Sequence, residues 1–188
     1  VLLFLAVGFN DGYNLFVISG IDGKFDEFNQ IENQFEFSVS KLGYDRTHSF
    51  VDNVQTFRSI IEKSTNDVIL LGWSIGAVAA AFSAELEKVK GIVLINAFYD
   101  REEVLRKRNI SCDEQVTLSS VKDTNKRVYI ICGEKDDKIP YTESEKIKNI
   151  FSMTNCHFFK FSNARHNLGS FPSMALSDIT NKIKGEIL

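Results

Sequence analysis

Short apolar runs alternate along this chain with stretches of helical period, and that alternation limits the possible folds more than any other feature. The runs are residues 14–19 (NLFVIS), 35–39, 67–71 (DVILL), 91–97 (GIVLINA), 126–132 (KRVYIIC) and 156–161 (CHFFKF). Most are nearly continuous in apolar character, as strands buried on both faces are. Between them, Phe25, Phe28, Ile31 and Phe35 recur every three to four residues. Ser49 and Asp52 form a capping box ahead of a stripe at Val51, Val54, Phe57, Ile60 and Ile61. Residues 75–88 read as an Ala-rich helix. Thr142 with Glu145 offers a second capping box, and Pro172 opens a last helix through Ile179, Ile183 and Ile187. The pattern predicts an α/β fold: a mostly parallel central sheet flanked by helices on both faces. Ligands of such sheets gather at the carboxyl ends of the strands.

One further run, residues 1–7 (VLLFLAV), ends at Gly8. It is too short to cross a bilayer, which takes about 20 helical residues. It could be the end of a trimmed signal segment, but no basic region or small-residue cleavage site is visible, and another buried strand is the expected reading. At 188 residues, with two prolines and no repeat, the whole chain 1–188 is expected to form one domain. Lys and Arg number 22 against 25 Asp and Glu, with no basic run. That argues against nucleic acid or an anionic membrane surface as a partner. Cys112, Cys132 and Cys156 are far apart and odd in number, which suits reduced thiols in a cytoplasmic protein. No metal-ligand cluster and no dinucleotide-binding glycine pattern appears, so neither a metal nor an organic cofactor is expected.

Chemistry is most visible at Gly72-Trp73-Ser74-Ile75-Gly76, a G-x-S-x-G that follows DVILL and opens the Ala-rich stretch. In such a strand-to-helix reversal the serine is strained and its hydroxyl stands out above the sheet. The helix N-terminus presents free amides to whatever the serine attacks. The plain alternative is a tight turn whose serine merely caps the helix. A serine nucleophile needs a base, and the chain has three histidines. His157 lies inside the last run and reads as a sheet residue. His48 sits in a loop after the second strand and reads as a surface residue that could approach the site. His166, in NARHN, follows the final strand at its carboxyl end, where a base must sit. The carboxylate that would orient it is offered by GEKDDKIP, directly after KRVYIIC. Either Asp136 or Asp137 could accept from the imidazole, though a solvated charged turn would look the same.

These three motifs, GWSIGA, GEKDDKIP and ARHNL, resemble those of the α/β-hydrolase superfamily, and the likeness runs from about Asn14 to the end. The order Ser, Asp, His is that superfamily's order. Its acid loops often read G-x-x-D-x-x-(V/I)-P. Gly133, Ile139 and Pro140 then put Asp136 at the acid position, with Asp137 as the fallback. Its oxyanion loop commonly reads H-G-x-x-G, and Ser19-Gly20-Ile21-Asp22-Gly23 is the matching stretch, with Ser19 in place of histidine. The resemblance implies that the backbone N–H groups of Ile21 and Ile75 form the oxyanion hole, where side-chain identity is secondary. Large caps in the superfamily are inserted where this chain has only about residues 98–125, which leaves room for a minimal cap. Trp73, Phe98, Tyr99 and Tyr141 are then candidate walls of a rather open site, with ordinary packing as the alternative for each.

The expected function is hydrolysis of a carboxylic ester or thioester through an acyl-enzyme on Ser74. The resemblance favours esters and thioesters over amides, and small-molecule or acyl-carrier substrates both suit an open site. Two other readings share the sequence: an acyltransferase using the same residues, and a non-catalytic binding protein of the same fold.

Overall fold

Five of the six apolar runs from residue 14 onward become strands, because a backbone buried on both sides must pair its polar groups within a sheet. The computed structural model describes residues 12–187, so the strand expected at residues 1–7 lies outside the described residues. The strands are β1 (Tyr13–Ile18), β2 (Ser38–Leu42), β3 (Asp67–Trp73), β4 (Val89–Ile95), β5 (Arg127–Gly133) and β6 (Cys156–Phe161). They form a six-stranded sheet in the order β2-β1-β3-β4-β5-β6. Every neighbouring pair is parallel. The helices are α1 (Asn29–Glu32), α2 (Phe50–Glu62), α3 (Ile75–Ser83), α4 (Arg101–Lys107), α5 (Tyr141–Lys148) and α6 (Ser173–Ile187).

Successive side chains of a strand point to opposite faces, so each central strand supplies two cores. Phe16, Leu70, Ile92 and Ile130 face α2, α3 and α5 through Phe57, Val78 and Ile147. Leu15, Ile69, Val93 and Tyr129 face the other way, onto Ile31 of α1 and Leu176, Ile179 and Ile183 of α6. This is the α/β architecture that the alternation implied, with helices on both faces.

Three local expectations shift. The strand expected at residues 35–39 forms at Ser38–Leu42 instead. Phe35 and Phe37 are drawn into the α6-side core, and Glu36 between them takes a positive φ of 56° that breaks the extended run. The helix expected over residues 75–88 ends at Ser83, whose hydroxyl bonds back to the Ala79 carbonyl at 2.9 Å before the chain turns into β4. Thr142 does not cap α5. That helix starts at Tyr141 behind Pro140, without a side-chain cap. The Ser49 cap does form, its hydroxyl accepting from the Asp52 N–H at 3.1 Å. Between β4 and β5 the chain holds α4 and an isolated antiparallel bridge from Asp100 to Thr117.

The end of α6 is fastened to the sheet through Glu186. Its carboxylate accepts from the Tyr129 hydroxyl at 2.6 Å and lies 3.0 Å from His157 Nε2 and 2.8 Å from Lys182 Nζ. Burial alone would raise the Glu186 pKa, but Lys182, Tyr129 and His157 outweigh it and hold it at about 2. Glu103 on α4 is likewise held at about 2, by Lys146 and Lys107. A carboxylate with a depressed folded-state pKa contributes stability above its unfolded pKa, and that contribution is lost as the pH falls towards 2. The urea midpoint should therefore fall steadily below about pH 4.5, and Glu186→Gln should flatten part of that fall. A variant with the wild-type slope would show that Glu186 is not coupled to folding.

Candidate active site

Ser74 stands at the turn from β3 into α3 with φ 57° and ψ −124°, a backbone that ordinary residues rarely adopt. Its N–H bonds to the Ile95 carbonyl at 2.9 Å, which pins the turn to β4. The two glycines of the motif have a steric reason. A Cβ on Gly72 would collide with the backbone of Gly76 and Ala77, and one on Gly76 with the carbonyls of Ile18 and Ser19. The turn thus closes against the end of β1. Gly76→Ala should cost about 3 kcal/mol, the upper range for overpacking, because only backbone could yield. A urea midpoint within error of wild type would refute this contact.

Asp136 lies after β5 with its carboxylate fully shielded from solvent. Oδ1 accepts the N–H groups of Lys138 and Ile139, each at 2.8 Å. Oδ2 meets His166 Nδ1 at 2.8 Å. The neighbouring Asp137 points outward, its side chain 70% exposed and 3.8 Å from Lys138 Nζ. Of the two aspartates left open by the residue pattern, Asp136 is the one beside the histidine. His166 and Ser74 line the same cavity, of about 290 Å³, with Ile21, Trp73, Ile75 and Phe98.

The other two histidines stand elsewhere. His48 is exposed and 2.9 Å from Asp45. His157 is the Glu186 partner on β6. No cysteine competes as a nucleophile in the cavity. Burial pushes the Cys132 thiol up to about 12 and that of Cys156 to about 11, where little thiolate exists.

Ile75 is the first residue of α3, so its N–H has no carbonyl a turn behind it to bond. Ile21 follows β1 in the facing turn, half exposed, and lines the cavity too. Ser19 stands where the resembled loop has histidine, and its side chain has a structural partner on each side. Buried at the end of β1, its hydroxyl donates to the Gly20 carbonyl at 3.0 Å and accepts the Tyr44 N–H at 2.9 Å. It serves to tie the loop to the turn after β2.

Of the expected aromatic walls, Trp73 and Phe98 line the cavity, whereas Tyr99 and Tyr141 stand outside its lining. Tyr99 packs against the core beside α5, and Tyr141 lies under Lys160. The remaining wall is α4, through Val104 and Leu105, with Arg101, Arg108 and Lys138 adding positive charge.

Three supports escape a reading of the sequence. The Trp73 indole N–H donates to the His166 carbonyl at 2.8 Å, and the two rings lie 5.0 Å apart. Asn96, after β4, reaches the same carbonyl at 2.8 Å. Glu143 of α5 is buried. Its Oε2 accepts the N–H groups of Tyr99 and Asp100 at 3.0 Å each, which clamps the approach to α4. Its Oε1 pairs with Lys146 at 2.7 Å, and Lys146 also reaches Glu103 at 2.7 Å. The only sequence signal for Glu143 is its place four residues before the buried Ile147, on the same side of the helix.

Among the described residues, no group of three or more His, Cys, Asp or Glu is placed to hold a metal ion. Nor is any helix among them long and apolar enough to cross a membrane.

Set beside known proteins, residues 10–171 match the sequence model of the dienelactone hydrolase family. No curated protein sequence matches the chain. Several solved structures share its fold. Est1E from Butyrivibrio proteoclasticus, in a structure with ferulic acid bound, is 13% identical over 94% of this chain and 90% of that one, with a TM-score of 0.75. MGS-MChE2, an α/β hydrolase from a lagoon-sediment metagenome, is 17% identical over 94% and 92%, with a TM-score of 0.74. The mouse α/β hydrolase domain-containing protein 10 is 12% identical over 92% and 90%, with a TM-score of 0.70.

Proposed function

Because this chain belongs to the dienelactone hydrolase family, and so to the α/β-hydrolase enzymes, we propose that it cleaves a carboxylic ester or thioester through an acyl-enzyme on Ser74. The observation that carries this reading is the pairing of His166 Nδ1 with Asp136 Oδ2 at 2.8 Å beside a cavity that Ser74 also lines. His166 takes the hydroxyl proton through its other nitrogen as Ser74 Oγ attacks the carbonyl carbon. Asp136 fixes the tautomer and stabilises the imidazolium that results. The carbonyl oxygen becomes an oxyanion, received by the N–H groups of Ile21 and Ile75; such donors lower the barrier when they are fixed before the charge develops. His166 then gives its proton to the departing alkoxide or thiolate. In the second half it takes a proton from water, which attacks the acyl-enzyme and releases the acid.

The walls suit an apolar acyl group: Trp73, Phe98, Val104, Leu105 and Ile139 surround the serine. Ferulic acid in Est1E is one carboxylic acid accommodated on this fold. A carrier-bound acyl chain fits the same geometry as a small-molecule ester, because α4 makes only one wall.

Labelling with a fluorophosphonate probe, followed by peptide mapping, tests the reading. Stoichiometric modification at Ser74 is expected, together with turnover of p-nitrophenyl esters or acyl thioesters. A folded protein that takes up no label and cleaves neither class would overturn it.

A further inference from the structure

We propose that Asn96 is a positioning residue for His166, holding the histidine loop and the acid loop at a fixed spacing. This rests on the reading of Ser74, His166 and Asp136 given above. Asn96 is the residue after β4, it is 2% exposed, and its φ is 48°. Asn tolerates this left-handed backbone better than most residues. The main chain still bonds to the sheet through its N–H and the Ile131 carbonyl at 2.9 Å.

The turn leaves the side-chain amide beside the carboxyl end of β5, and every polar atom of that amide is used. Oδ1 accepts the Gly133 N–H at 3.0 Å. Nδ2 donates to the carbonyl of Arg165 at 3.0 Å and to that of His166 at 2.8 Å. Gly133 is where β5 ends and the loop to Asp136 begins. The two carbonyls belong to the peptide groups on either side of His166, so fixing both fixes the direction in which its side chain leaves the backbone.

One amide therefore links the root of the acid loop to the backbone of the base. The His166 carbonyl has two acceptor positions, and the second donor to it is Trp73 of the nucleophile turn. The histidine loop and the nucleophile turn thus meet at one carbonyl oxygen, and the acid loop is tied to it through the Asn96 amide. If Asn96 served only to satisfy buried carbonyls, its loss would cost stability and leave the rate alone. If it sets the imidazole's place, its loss must appear in the chemical step, because an error of about 1 Å costs up to about 100-fold.

Two variants separate these roles. Asn96→Gly removes all three side-chain bonds while keeping the left-handed backbone free of strain. Asn96→Ser also breaks the bridge but buries no charge, leaving a small neutral hydroxyl beside the acid loop, and it keeps the test open should the first variant fail to hold. Both are expected to fold and to lose about 10- to 100-fold in kcat on a p-nitrophenyl ester. KM should change little, since the substrate walls are untouched. The downfield proton signal of the His166 Nδ1–Asp136 hydrogen bond should move or broaden. A folded variant with wild-type kcat and an unmoved signal would overturn the proposal. A wild-type protein that neither labels nor turns over ester would instead overturn the reading of Ser74. The imidazole signal would still decide whether Asn96 places His166.

Discussion

Replacing Ser74 by Ala should lower kcat on the best ester by on the order of 10⁶-fold, while leaving the fold intact. The size follows from the way such residues act as a unit. Without Oγ there is no acyl-enzyme, and the base and acid have nothing to activate. What survives should be the smaller acceleration from substrate binding and the amides of Ile21 and Ile75. The fold should survive because the Ser74 side chain makes no cap bond to α3. Its main-chain bond to Ile95 is unaffected by the substitution. Alanine inherits the strained backbone, but serine already carries the same Cβ there, so the substitution adds little strain. Steady-state kinetics beside urea unfolding checks both halves. A variant that retains more than about a thousandth of wild-type kcat would remove Ser74 from the role of nucleophile.

The next largest effect is expected from the adjacent aspartates, which chemistry alone cannot tell apart. Asp136→Asn should cost about 10⁴-fold in kcat, because an amide at that position favours the wrong imidazole tautomer and cannot stabilise the imidazolium. Asp137→Asn should stay close to wild type. The contrast is set by burial: one carboxylate is wholly shielded and holds the imidazole, while the other is largely in solvent. Asp136 also accepts two backbone N–H groups that shape its own loop. The amide of asparagine still offers one oxygen to them, so the loop is expected to persist. Equal losses in the two variants would mean that the acid has been misassigned.

Much of this was readable in the chain before any coordinates. The central strands announce themselves because both of their faces are buried, which leaves no polar interruption in runs such as DVILL and GIVLINA. β2 is hard to see in the sequence for the opposite reason. It is an edge strand with mostly exposed residues, whereas the more regular apolar alternation just before it belongs to a turn whose phenylalanines enter the core. The site divides in a similar way. Ser74, Asp136 and His166 each sit in a short motif whose local geometry imposes its own residue types. The supports do not. Asn96 acts on a carbonyl 70 positions away, Trp73 on one 93 away, and Glu143 on amides 43 and 44 away. A single Asn after a strand, or a Glu within a charged helix, carries no mark of such distant partners. Ser19 shows a third case. It departs from the pattern its position resembles and has a structural task, bonding the turn at Tyr44.

The strand order carries one more consequence, which concerns time rather than space. β1 and β3, which bring Ile21 and Ser74, lie side by side in the first half of the chain, whereas His166 follows β6 at the far edge of the sheet. During synthesis the serine turn can therefore be made and packed while the partner that would activate its hydroxyl is still untranslated. On the proposed reading of Ser74, the nascent protein would carry an unactivated serine, and its activation would wait until the sheet had grown to its last strand.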